Sequence, residues 1–109
     1  LAAGDRAFLS FTSFTRPAEV LALDVRSAAW QRFRAPRVDF ASEDFTTRQV
    51  FVTSRDGTQV PLFLVHRRDL EPQGEAPTLL YGYGGFDVPI TPSFSVLSAA
   101  WLELGGVWA

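Results

Sequence analysis

Apolar and polar positions alternate in short runs through the first two thirds of the chain. Residues 7–14, 20–25 and 30–33 read as three strands, with Phe8, Phe11, Phe14, Val20, Leu21, Trp30 and Phe33 among their apolar positions. Aromatic and branched side chains in short runs suit a pleated, half-buried surface. Arg16-Pro17-Ala18 and Ser27-Ala28-Ala29 supply the turns between them. Three short strands with tight connections form a meander, and a sheet that small needs packing partners. The blades of a β-propeller are built this way and lend one another those partners.

Ala35-Pro36-Arg37 punctuates the pattern, and residues 37–45, with Asp39, Glu43 and Asp44, read as a polar linker. The shift sets a boundary that divides the chain into residues 1–36 and 37–109. Two further strands are predicted at 46–53 and 58–66, joined by Ser54-Arg55-Asp56-Gly57. Asp-Gly between alternating runs predicts a type I′ hairpin turn. Pro61 lacks a donor, so its strand is expected at a sheet edge or a bulge. Val60, Leu62 and Leu64 share one face, Phe63 and Val65 the other. With both faces apolar, the hairpin is expected to be covered.

After a loop at 69–76, residues 77–81 form a short apolar run of the kind found inside parallel sheets. A glycine-rich loop follows. Phe94, Leu97, Trp101 and Leu104 then recur at helical spacing, which predicts a helix with that stripe facing the core. Ser93 or Ser95 is placed to cap its start and Gly105 to end it. Val107 opens another strand. Strand, loop, helix and strand make a βαβ unit, whose crossover is expected to be right-handed.

Composition narrows the chemistry. At 47% hydrophobic and 14% aromatic residues, the chain has core-forming material and is not expected to be disordered. A net charge of -2 argues against nucleic acid as a main partner, since phosphate binding needs a basic excess. The Arg32-Phe33-Arg34 and Arg67-Arg68 clusters read as solvated faces. No apolar run reaches membrane-spanning length, so no membrane partner is expected. With no cysteine and one histidine, His66, disulfides and thiol nucleophiles are excluded, and no metal or cofactor is expected. The chain opens on Leu1, holds no methionine and closes as a strand begins, so it is read as a piece of a longer polypeptide.

No nucleophile–base–acid set is visible: G-x-S-x-G is absent, and the adjacent Glu43-Asp44 pair reads as solvated linker. His66, at a strand end, reads as a structural or surface residue. What remains is Tyr81-Gly82-Tyr83-Gly84-Gly85-Phe86, at the C-terminal end of a parallel-type strand, where ligands of open α/β sheets bind. Gly82, Gly84 and Gly85 shape the loop. A tyrosine hydroxyl there can serve as a preorganised oxyanion donor. Equally, the tyrosines can pack the core while the glycines merely make the turn.

Ser54-Arg55-Asp56-Gly57-Thr58, the strand from Val60 to His66, the loop from Tyr81 to Phe86 and Ile90-Thr91-Pro92 together resemble the prolyl oligopeptidase family of serine peptidases. The match is dense over residues 46–109 and rests on strand pattern over 1–36. The resemblance implies a seven-bladed β-propeller capping an α/β-hydrolase domain. Residues 1–36 would be the last blade, and 37–109 the first strands and helix of the hydrolase. It implies hydrolysis of short peptides on the carboxyl side of proline, no cofactor, and a cytoplasmic location, or a periplasmic one if a leader precedes this segment. Tyr83 falls on the family's oxyanion tyrosine and Phe86 on a phenylalanine lining the proline pocket. Gly85-Phe86 favours this branch over the one that cleaves after basic residues. The family's serine, aspartate and histidine have no counterpart here, so this segment alone is expected to be inactive. Its partners would be proline-containing peptides and the rest of its own polypeptide. The rival reading is a non-catalytic β-rich binding module.

Overall fold

A computed structural model describes residues 5–70 and 74–109. Strands β1 (Arg6–Phe11), β2 (Glu19–Asp24) and β3 (Ala29–Arg34) form an antiparallel sheet in the order β1-β2-β3. This is the predicted meander, except that β1 ends at Phe11 rather than near residue 14. Thr12 to Arg16 instead make a self-bonded turn. Ser13 Oγ accepts the amides of Thr15 and Arg16 at 3.3 and 3.1 Å, and Ser13 N–H donates to Arg16 O at 3.1 Å. Serine hydroxyls favour such turns by offering the backbone a local partner. The β2–β3 turn is held by Asp24, whose Oδ1 accepts from Arg26 N–H, Ser27 N–H and the Ser27 hydroxyl.

The expected linker contains a short 3-10 helix, Ser42–Asp44, and runs directly into β4 (Phe45–Thr53), which pairs antiparallel with β5 (Gln59–Arg67). The turn between them is not type I′. Gly57 alone has positive φ (+87°); Gly57 N–H donates to Ser54 O and Ser54 N–H to Thr58 O. That is a type I turn closed by a left-handed glycine. Asp56 favours it because its Oδ1 accepts Thr58 N–H at 3.0 Å.

Strand β6 (Thr78–Leu79), helix α1 (Val96–Glu103) and β7 (Val107–Trp108) complete the predicted βαβ unit, with β6 and β7 parallel. The second sheet has the order β4-β5-β7-β6. Strand β7 meets β5 at Val65↔Trp108, so Pro61 lies on a stretch of β5 that β7 does not reach, as its missing donor requires. The same geometry corrects the expectation of a covered hairpin. Val65 and His66 are buried, whereas Phe51, Val52 and Val60 near the turn are exposed. The core gathers Phe14, Phe45, Val65 and Leu102, with Phe40, Phe63 and Trp108 packed against it.

The helix turns a different face inward from the one predicted. Its buried residues are Ser98, Ala99 and Leu102, while Leu97 and Leu104 are 68% and 83% exposed. Nearly every position from 96 to 102 is apolar, so spacing alone selects no unique stripe, and small residues at 98 and 99 can face the sheet. Ser95 occupies the N-cap without a side-chain capping bond; the Ser98 hydroxyl donates to its carbonyl instead. The C-terminus follows expectation. Gly105 (φ +88°) donates to Leu102 O and Gly106 to Trp101 O, the two bonds of a Schellman cap.

Candidate active-site loop

The β6–β7 ladder carries the chain into the glycine-rich loop. Val107 N–H donates to Pro77 O, Ala109 N–H to Leu79 O, and Tyr81 N–H to Ala109 O, at 2.8, 2.9 and 2.8 Å. The backbone is therefore pinned up to Tyr81, whose ring lies 6.2 Å from that of Trp108. Beyond it the loop leaves the sheet. Tyr83 is 54% exposed and Phe86 93% exposed. Tyr81 is as exposed as Tyr83, at 53%, so core packing accounts for neither ring, and Tyr81 differs only in its contact with Trp108.

The glycines divide in role. Gly84 alone of the three has positive φ (+68°), and a Cβ at Gly82 or Gly84 would meet no described atom. At Gly85 the nearest atom would be Tyr83 Cε1, 3.9 Å away. Next comes the type I′ turn expected elsewhere. Phe86 and Asp87 have φ of +53° and +51°, and Val88 N–H donates to Gly85 O at 3.2 Å. Phe86 in the left-handed region costs roughly 1–2 kcal/mol, whereas the short polar side chain of Asp87 tolerates that conformation better. Backbone strain of this kind concentrates at functional sites, and here it presents a phenylalanine ring to solvent.

Behind the loop lies a cavity of about 480 Å³ lined by Phe14, Phe63, Leu80, Tyr81, Ile90 and Trp108 among others. Among the described residues no acidic or basic side chain lines it, and it does not reach Tyr83 or Phe86. His66 is buried at the end of β5, with Nδ1 2.8 Å from Arg67 O; among the described residues its buried Nε2 meets no hydrogen-bond partner. Among the described residues no cluster of His, Asp or Glu suited to a metal ion occurs, and no helix is long and apolar enough to cross a membrane.

No protein-family model matches the chain. Individual relatives do. The prolyl endopeptidase of Elizabethkingia miricola is 37% identical over 102 residues, 94% of this chain. Prolyl oligopeptidase A of Galerina marginata is 34% identical over 92% of the chain. The chain belongs to the prolyl oligopeptidase family. It spans about 14% of the length of these relatives. Among solved structures, a prolyl endopeptidase superposes with a TM-score of 0.84 at 42% identity, covering 99% of this chain and 16% of the other. Oligopeptidase B from Trypanosoma brucei, with covalently bound antipain, superposes at 0.80 with 29% identity over 96% of this chain and 15% of the other. Sequence reasoning had no signal for one feature near the prolyl oligopeptidase loop: Thr12 and Phe14, far away in the chain, reach its supporting structure.

Proposed function

We propose that this chain is part of a serine peptidase that cleaves short peptides on the carboxyl side of proline. Residues 1–36 serve as the last propeller blade and 37–109 as the opening of the hydrolase domain. The observation that carries this reading is the loop 81–86. It follows a parallel strand of a sheet ordered β4-β5-β7-β6 and precedes α1. In α/β-hydrolases the loop between the third strand and the first helix lends a donor to the oxyanion hole.

In this reading the Tyr83 hydroxyl donates to the oxygen that becomes negative as the scissile carbonyl turns tetrahedral. The nucleophile and its base come from outside these residues, because none of the eight serines lies in a nucleophile elbow. The 109-residue chain alone therefore hydrolyses nothing. Phe86 offers an apolar wall to the substrate's proline ring, which has no polar group to satisfy. Among the described residues no atom lies within 4 Å of where a side chain on Gly82 or Gly84 would begin, which leaves room for a peptide backbone.

The test is Tyr83→Phe in the full-length protein, assayed on matched peptides carrying proline or arginine before the scissile bond. Loss of one oxyanion donor lowers kcat by roughly 10²–10³, with stability unchanged. An unaltered kcat/KM would remove Tyr83 from the mechanism. Faster cleavage of the arginine peptide by the parent protein would assign it to the basic-residue branch.

A further inference from the structure

The loop that carries Tyr83 and Phe86 is tied at its far end to the first sheet. Thr12 Oγ1 accepts the amide of Phe94 at 3.2 Å, across 82 residues of chain. The same hydroxyl donates to Arg16 O at 3.1 Å, so its donor and one acceptor site are both used. Two residues on, Phe14 leaves the first sheet and is buried in the core of the second, its ring 5.3 Å from that of Phe63. Phe14 also lines the cavity behind Tyr81 and Gly82. Phe94 itself is held by an edge contact with Phe40, 5.8 Å away, and Phe40 stacks on Phe45 at 4.7 Å.

We propose that Thr12 is a positioning residue for the loop 81–94, its hydroxyl fixing the trailing end of that loop to the turn between β1 and β2. This rests on the peptidase reading and deepens it. The leading end of the loop is pinned by the Tyr81–Ala109 bond. Between the pins lie Gly82, Gly84 and Gly85, whose backbone has no side chain to brace it. The trailing anchor thus limits the paths open to Tyr83 and Phe86. Because the turn belongs to the first sheet, a shift of that sheet moves the anchor and with it the loop.

The experiment compares Thr12→Val, Thr12→Ser and the parent in the full-length protein, by amide hydrogen exchange and by kinetics on a proline peptide. Valine keeps the shape and removes both hydrogen bonds; serine keeps the hydroxyl. Loss of one such bond corresponds to a change of about 2-fold to 10-fold. Thr12→Val is expected to exchange faster by that factor at Phe94 and through 84–94, and to lower kcat with little change in KM. Thr12→Ser is expected to restore both. Unchanged exchange at 84–94 in Thr12→Val would overturn the anchor. Faster exchange with unchanged kcat would overturn its role in positioning. A parent protein without peptidase activity would instead overturn the peptidase reading, with the exchange data still deciding the anchor.

Discussion

The indole of Trp101 fills the space where a side chain on Gly106 would begin. Its Nε1–H donates to Val107 O at 2.9 Å, so the helix's last turn is locked onto the strand that follows. That strand carries the ladder on which Tyr81 is pinned.

Gly106→Ala forces the ring or the strand to move, and overpacking of this kind costs about 1–3 kcal/mol. The midpoint of urea unfolding should fall accordingly. Trp101→Phe keeps most of the ring but loses one hydrogen bond, a smaller cost of about 1 kcal/mol. An unchanged midpoint in Gly106→Ala would mean the lock is absent.

Phe14 and Phe51 give a matched pair. Phe14 is buried among Phe45, Val65 and Leu102, whereas Phe51 is 63% exposed. Phe14→Ala should cost about 3–5 kcal/mol through lost burial and a cavity. Phe51→Ala should stay within about 0.5 kcal/mol in the same segment. Equal losses by thermal unfolding would contradict this division of the core.

Phe86→Ala removes an exposed ring, so stability should barely change while the preference for proline over alanine substrates falls. Uniform loss on both substrates would count against a pocket role. Phe86→Gly relieves roughly 1–2 kcal/mol of left-handed strain against roughly 0.4–1 kcal/mol of added unfolded-chain entropy. Its melting temperature should rise slightly.

Asp24 predicts an acid-sensitive turn. Hydrogen bonds from the Ser27 backbone and side chain, with Arg26 N–H, hold its carboxyl below the ordinary carboxylate value of 3.8. A group whose pKa is depressed on folding contributes stability above the unfolded value and loses it as pH falls through the folded one. Asp56 behaves alike through Thr58 and Ser54. Asp24→Asn should therefore flatten the stability loss below pH ~4. An unchanged acid limb would remove Asp24 from the account.

Local chemistry alone determined a good deal about this protein. The meander, the hairpin around Gly57, the strand leading to Tyr81 and the end of α1 at Gly105 follow from alternation, from proline and from glycine, all short-range effects. The loop at 81–86 was legible as a candidate site because three glycines and three aromatics are a local pattern. Tertiary structure decided what local pattern leaves open. A helix apolar on nearly every side has no preferred stripe, so the sheet chose Ser98, Ala99 and Leu102. Turn type at Asp56-Gly57 followed from a side-chain bond to Thr58, and the type I′ geometry went to Phe86-Asp87. The placing of Phe14 in the second core, and of Thr12 against Phe94, depends on contacts between segments about 50 and 82 residues apart. No window of sequence contains both partners, and only their packing brings them together.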